Sequence, residues 1–143
     1  MKRALAALMI AALLGAAILS LPRTDVVDAA TTMPSPTRVL DTRTGIGVSP
    51  GRLTPGNVLT LTLPTVTIAG ATSVLLNLTT VGADQLGYVS AWPCGSSQPD
   101  TSIVNFEPGR AVPNMAVLAY TAAGVCFSAS SAVHLVADLT GVT

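Results

Sequence analysis

Apolar and polar residues alternate along most of the chain, which is the pattern of extended strands that bury one face. In Ser73–Val81, Val74, Leu76 and Leu78 fall on one side of such a strand and polar residues such as Asn77 on the other. The same period of two recurs in other segments, each bounded by Gly, Pro, Asn or Asp. These segments are Thr37–Thr42, Asn57–Leu63, Gly87–Trp92, Ser102–Phe106, Asn114–Tyr120, Val125–Ser128 and Val133–Thr140.

The fold class follows from this regular succession of short strands. No segment after Thr37 carries apolar residues at helical spacing, and β-branched residues and threonine are abundant. Short strands at this spacing are typical of sandwiches and barrels. We therefore predict a single all-β domain over residues 37–143, an antiparallel β-sandwich or jelly-roll-like fold of about eight strands.

The first part of the chain has the pattern of a secretory signal peptide. Lys2 and Arg3 precede Ala4–Leu21, which has no charge, and a Val-x-Ala pattern ends at Ala29. A basic start, an apolar run and small residues at a cleavage point predict a signal peptide over residues 1–29. An uncleaved membrane anchor is the alternative, because the apolar run is at the lower limit for crossing a bilayer.

Both alternatives place the domain outside the cytoplasm, because basic residues next to an apolar segment stay inside. The Pro- and Thr-rich residues 30–36 are predicted to be a linker between this segment and the domain. The expected location is secreted or associated with the cell envelope. Membrane contact is expected only through the N-terminal segment, if it is not cleaved.

The two cysteines agree with export. Cys94 and Cys126 are the only ones in the chain, and an even number in an exported protein predicts a disulfide. A metal site is not expected, because two thiols and the one histidine, His134, are too few ligands for a closed tetrahedral site. No cofactor is expected either.

Charge is low and almost balanced. The 143 residues include 7 Lys+Arg and 7 Asp+Glu, so that only 10% are charged while 50% are hydrophobic. No lysine follows Ala29, which argues against nucleic acid or an anionic membrane surface as a partner. Hydroxyl-rich strands then face water, or part of this uncharged surface is covered by a glycan, another copy or a neighbouring protein.

Charged residues concentrate in the first predicted strand, Arg-Val-Leu-Asp-Thr-Arg. Alternation places Arg38 with Leu40 on one face and Asp41 with Arg43 on the other. We predict ion pairs among Arg38, Asp41, Arg43 and Asp138, the last from the final strand, that clamp the first and last strands together. The alternative is that Arg38 and Arg43 recognise a ligand.

Few aromatic or nucleophilic side chains are candidates for a site. Trp92 precedes a Pro-Cys pair and is expected to pack beside the disulfide, whereas stacking on a ligand is the alternative for Trp92 and Tyr88. His134 is expected to be structural. Asp138 lies four residues further along the same strand, about 13 Å away, too far to orient His134 for catalysis.

Several motifs stand in order along the chain. They are Arg-Val-Leu-Asp-Thr-Arg (38–43), Gly-Tyr-x-x-Ala-Trp-Pro-Cys-Gly (87–95), Asn-Phe (105–106), Pro-Asn (113–114), Val-Cys (125–126) and His-Leu-Val-x-Asp-Leu-Thr-Gly (134–141), where x is any residue. Over nearly all of residues 37–142, this set resembles a module of exported actinobacterial proteins that occurs alone, in tandem or beside cell-wall hydrolase domains. The resemblance implies an exported β-rich module with a disulfide, and it supplies no catalytic residues. Family copies often have an aromatic residue where this chain has Val142.

These observations predict a protein that is not an enzyme. We expect an exported cell-envelope module that binds surface polysaccharide or an envelope protein, with Trp92, Tyr88, Arg43 and Arg38 as candidate ligand-binding residues. The first alternative is a structural or self-assembling surface protein that forms homo-oligomers. A small hydrolase that uses His134 is the third hypothesis.

Overall fold

The computed structural model describes residues 31–64 and 70–143, and every regular element in these ranges is a β-strand. The all-β prediction is therefore confirmed. The signal peptide predicted over residues 1–29 lies outside the described residues. The strands are β1 (Thr31–Asp41), β2 (Leu59–Leu61), β3 (Ser73–Val81), β4 (Gly87–Pro93), β5 (Val104–Phe106), β6 (Val112–Ala119), β7 (Val125–Ala129) and β8 (His134–Val142).

The strands form two antiparallel sheets of four strands each. The first sheet has the order β1-β8-β3-β6 and the second the order β2-β7-β4-β5. Buried side chains from both sheets belong to one hydrophobic core, which explains why each strand presents one apolar face. Its fully buried members are Leu40, Val74, Leu76, Leu78, Leu135, Ala137 and Leu139 from the first sheet and Val89, Val125 and Phe127 from the second.

Strand β3 follows its predicted pattern. Val74, Leu76 and Leu78 are fully buried, whereas Leu75 and Asn77 on the opposite face are partly exposed. The strand pairs with β6 on one side and β8 on the other, so its backbone hydrogen bonds are made within the sheet. An interior strand with one apolar face has its register strongly specified, which is why its predicted and observed ends coincide.

Strand β1 begins earlier than the sequence pattern predicts. Thr31 is already paired with Val142 of β8, and the register shifts before pairing resumes at Thr37. Two prolines lie in this interval, and proline cannot donate a ladder hydrogen bond, so it is tolerated on an edge strand such as β1. From Thr31 onward, the segment 30–36 that was expected to be a linker is thus part of the first sheet.

A β-bulge interrupts the alternation of β1. Arg38 pairs with Asp138 and Leu40 with Ala137, so that Val39 is an extra residue on the β1 side. Leu40 is fully buried in the core and Arg38 is exposed. The prediction that Arg38 and Leu40 share a face was wrong, because the bulge turns the two side chains to opposite sides of the sheet.

The chain after β1 folds back onto the strand. The Asp41 N–H donates to the Ile46 carbonyl at 2.9 Å, and the Ile46 N–H donates to the Asp41 carbonyl at 3.1 Å. Gly47 has a φ of 73°, and a Cβ at this position would collide with the Val39 carbonyl oxygen. Glycine is therefore required for the close return that encloses Asp41.

The predicted disulfide is confirmed between Cys94 and Cys126, which are separated by 32 positions. It joins the segment after β4 to β7. Cys126 lies directly across from Trp92, and the Cys94 N–H donates to the Gly124 carbonyl at 2.9 Å. In the chain-entropy account, closing a loop of this length stabilises the fold by about 3–4 kcal/mol.

Candidate functional site

The four charged residues expected to pair lie together where β1 meets β8. The Arg38 guanidinium donates to both carboxylate oxygens of Asp138, from Nε at 2.6 Å and from Nη2 at 3.2 Å. Arg43 binds Asp41 in the same two-point manner, from Nε at 2.9 Å and Nη2 at 2.7 Å. Arg38 Nη1 also donates to Asp41 at 3.3 Å, which joins the two pairs into one cluster.

Asp41 is the centre of this cluster and is 2% exposed. Hydrogen bonds from the Arg43 side chain and backbone hold the pKa of the Asp41 carboxyl well below its usual range, although burial acts in the opposite direction. Hydrogen bonding to Asp138 raises the pKa of Arg38. The Nε–Nη2 edges of Arg38 and Arg43 are already hydrogen-bonded to carboxylates of the protein itself. This geometry favours a structural clamp over ligand recognition.

His134 has a structural partner. Its Nδ1 lies 3.0 Å from the hydroxyl oxygen of Thr42, and this oxygen accepts a hydrogen bond from the Leu135 N–H, also at 3.0 Å. The Thr42 hydroxyl and Nδ1 therefore share one hydrogen bond, whose donor depends on the tautomer of the ring. In a hydrolase triad a carboxylate is hydrogen-bonded to Nδ1 of the histidine. In this protein Thr42 occupies that position, and Asp138 is bound to Arg38 instead.

Of the candidate aromatic side chains, only Tyr88 offers a ring to a ligand. Trp92 is 8% exposed and packs across from Cys126, whereas Tyr88 is 43% exposed. A stacking platform needs an exposed ring face, so the burial of Trp92 favours the packing role. The remaining aromatic residues of the chain are also buried, namely Phe106, Tyr120 and Phe127.

The backbone around Tyr88 is held closely. Its N–H donates to the Ser130 hydroxyl at 2.8 Å, and its carbonyl accepts from the Ser130 N–H at 3.0 Å. The preceding residue, Gly87, has no room for a Cβ, which would collide with the Ser131 hydroxyl and the Phe106 ring. The Gly-Tyr pair therefore lets β4 pass close to its neighbours and fixes where the tyrosine ring leaves the sheet.

One cleft beside Tyr88 is lined by Asp100, Thr101 and Ser102 and has a volume of about 240 Å³. The Ser90 hydroxyl donates to the Thr101 carbonyl at 2.5 Å, which pins this loop to β4. Of the acidic side chains in the described ranges, Asp100 alone makes no salt bridge. Its carboxylate is exposed and available to accept hydrogen bonds from a ligand.

Tyr88 also lines a second cleft, whose lining is uncharged. The Asn57 side chain, at its mouth, donates to the Thr54 hydroxyl at 2.6 Å, which fixes the turn before β2. The amide and hydroxyl groups of this lining are neutral hydrogen-bonding partners. The residues that line this cleft with Tyr88 are Gly56, Asn57, Val58, Gln98, Ser128, Ala129 and Ser130.

Sequence analysis singled out Tyr88 but missed Asn57, Gln98 and Asp100. Asn57 lies in the turn before β2, and Gln98 and Asp100 lie in the loop between β4 and β5. No motif or fixed spacing links them, so only the presence of a polar residue in a loop could have pointed to each.

The chain was also compared with known proteins. A scan against models of known protein families gives no match, and no curated protein sequence matches this one. The resemblance to exported actinobacterial modules therefore stays a prediction.

Further observations bear on cofactors and location. In residues 31–64 and 70–143, no group of three or more His, Cys, Asp or Glu side chains is arranged to hold a metal ion. The same ranges contain no helix of the length and apolarity needed to span a bilayer. The disulfide favours an oxidising, extracytoplasmic environment, because disulfides persist there and are rare in the cytoplasm.

Proposed function

We propose that this chain is a non-catalytic, exported β-sandwich module of the cell envelope that binds surface polysaccharide around Tyr88. The observation that carries the proposal is that Tyr88, the one exposed aromatic side chain of the described residues, lines two clefts with polar side chains. A sugar ring has an apolar face that packs on an aromatic ring. Its hydroxyl groups hydrogen-bond to amides, hydroxyls and carboxylates such as Asn57, Ser130 and Asp100.

Polysaccharide is favoured over an envelope protein by the surroundings of this ring. Protein-binding hot spots are usually aromatic or arginine side chains set in a tightly packed, water-excluding patch. Tyr88 instead lines two clefts whose other lining residues are mainly small and polar. Such clefts suit a hydrated ligand that is rich in hydroxyl groups.

The non-catalytic part of the proposal rests on His134, the one histidine of the chain. Its Nδ1 is hydrogen-bonded to the buried Thr42 hydroxyl, which supports a structural role for the ring. The exported part rests on the signal-like residues 1–29 and on the disulfide.

Sedimentation with cell walls tests the proposal. Purified, oxidised protein is mixed with washed actinobacterial walls, and the sedimented fraction is measured as the wall concentration rises. We expect saturable binding that soluble wall polysaccharide competes away. Tyr88→Ala should weaken it about tenfold, because the apolar area buried by the ring is lost.

Met115→Ala is the matched control, because it removes another exposed apolar side chain from the other sheet. It should sediment like the unchanged protein. Saturable binding that soluble polysaccharide does not compete for would identify an envelope protein as the partner. Binding that is unaffected by Tyr88→Ala would rule out the Tyr88 site.

A second candidate function is self-association through β6. This strand is an edge of the first sheet, and its Met115 and Val117 are 58% and 65% exposed. An exposed edge with apolar side chains is a template for pairing with another chain. Light scattering tests this candidate: a size that grows with concentration and returns to monomer in Met115→Lys supports it, and a monomer at every concentration contradicts it.

A further inference from the structure

The clefts beside Tyr88 continue into a longer groove. Ser130 lines the second of these clefts and also a third one, formed with Gln85 and Ser131. Asp84 lines this third cleft and also a fourth one, which is the largest of these four, at about 550 Å³. Each cleft thus shares a lining residue with the next, so the clefts are neighbours along the surface from Tyr88 to Asp84, and we call them together the groove.

The far end of this groove differs in charge from the Tyr88 end. Arg52 and Arg110 line the largest cleft, and residues such as Ala83 and Pro108 provide apolar surface between them. Arg38 and Arg43 belong to the clamp, so the other two arginines of the described residues both lie in this one cleft. We call Arg52 and Arg110 the groove arginines.

Each groove arginine uses only one guanidinium nitrogen in side-chain hydrogen bonds to the described residues. Arg52 donates to Asp84 from Nη1 alone, and Arg110 donates to Glu107 from Nη1 alone, at 2.6 Å. A guanidinium has five N–H donors in a fixed planar fork. Within the described part of the chain, no protein acceptor is hydrogen-bonded to the Nε–Nη2 edge of either residue.

The clamp shows what this edge binds in the same protein. The Nε and Nη2 atoms of Arg38 hold the two oxygens of Asp138, and those of Arg43 hold the two oxygens of Asp41. Two parallel N–H···O bonds to a carboxylate or phosphate are the strongest contacts that arginine makes. In the groove arginines the same edge has no hydrogen-bonded acceptor among the described residues, and both side chains line the same cleft.

We infer that the ligand of this groove is an extended acidic polysaccharide. A sugar ring packs on Tyr88, and an acidic group further along the polymer takes the free Nε–Nη2 edges of Arg52 and Arg110. The inference rests on the proposed function and adds the chemical class of the ligand. The shared chemistry is an oxyanion on a sugar polymer, either the carboxylate of a uronic acid or a phosphodiester.

Three probes separate these ligands by isothermal titration of the full-length, disulfide-bonded protein. Chitohexaose is neutral, a hyaluronan hexasaccharide has a carboxylate on every second sugar, and glycosylated poly(glycerol phosphate) has phosphodiesters together with sugar rings. We expect one of the two anionic probes to bind about tenfold more tightly than chitohexaose at low salt. The one that binds tighter identifies the acidic group.

Two variants test these residues, one expected to weaken the binding of the anionic probe and one expected to strengthen it. Arg52→Gln/Arg110→Gln should bind the anionic probe no more tightly than the neutral one. Asp84→Asn should strengthen anionic binding, because it removes the carboxylate that competes for Arg52. The ion pairs of both arginines are exposed, so these substitutions should leave the melting temperature almost unchanged.

The outcomes separate this inference from the proposed function. Equal affinity for neutral and anionic probes, weakened by Tyr88→Ala and unaffected by Arg52→Gln/Arg110→Gln, would overturn the acidic ligand and leave polysaccharide binding intact. Failure of all three probes would contradict the inference, and wall sedimentation would then decide separately whether the proposed function holds.

Discussion

The guanidinium of Arg38 holds both carboxylate oxygens of Asp138, a residue 100 positions later in the chain. This contact joins the first strand to the last, and both residues sit directly opposite each other in register. The bulge at Val39 makes it possible, because it turns Arg38 to the same outer face as Asp138.

Removal of the contact between Arg38 and Asp138 should lower the stability of the fold only modestly. Both side chains are partly exposed, so Arg38→Gln and Asp138→Asn should each cost about 1 kcal/mol or less of the free energy of unfolding. The double variant should cost little more than either single variant, because the two groups act as one pair. Urea unfolding of all four proteins checks this, and fully additive losses would mean that the pair is not coupled.

Arg43→Ala should destabilise the fold more than Arg38→Gln does. It leaves the carboxylate of Asp41 buried without its two-point partner, and a buried charge without its partner is strongly destabilising. Arg43→Lys should restore only part of the loss, because an ammonium cannot reproduce the planar fork. Thermal unfolding is the measurement, and an unchanged melting temperature with altered wall binding would support ligand recognition instead.

Acid should weaken the fold through Asp41. The folded-state pKa of this carboxyl lies below its unfolded value, so its contribution is complete above about pH 5 and is lost as the pH falls through the folded-state pKa. Asp41→Asn should cost about 1–3 kcal/mol at neutral pH, the usual value of hydrogen bonds to a charged group. The difference between the two proteins should shrink as the pH is lowered toward about 2 in a series of thermal melts. A constant difference would contradict the pKa argument.

Loss of the disulfide should affect both stability and binding. Cys94→Ser/Cys126→Ser should lower the free energy of unfolding by about 3–4 kcal/mol, because the unfolded chain is no longer constrained. It also frees the start of the loop that contributes Gln98 and Asp100 to the clefts. Wall binding measured well below the melting temperature should therefore fall as well, and unchanged binding would show that the loop is held by its other hydrogen bonds.

Much of the fold can be predicted from the sequence because burial imposes a simple rule on strands. Val74, Leu76 and Leu78 enter one core from one face, and a shift of one residue would expose all of them. The rule fails at Val39, where one extra residue changes the face without any change in composition. It also fails at the start of β1, where prolines resemble a linker yet occupy an edge strand.

The site is less predictable, because it depends on which parts of a surface are covered. Periodicity places Tyr88 and Trp92 on one face of β4, and it cannot tell that only the first is exposed. Arg52 and Arg110 lie in separate loops, so the groove arginines become neighbours only through the sheet order. Charge clusters that are local in sequence, such as Asp41 and Arg43, are the ones that sequence analysis can find.

The pairing of Thr31 with Val142 has a mechanical consequence. The first and last strands are antiparallel neighbours, so a pull on the two ends of the domain acts at the same end of their ladder. Such a load peels hydrogen-bonded pairs apart one after another rather than shearing many at once. Among the side chains that the structure describes, the ion pair between Arg38 and Asp138 is the first that such a load meets along this ladder, so it resists the separation of the two strands.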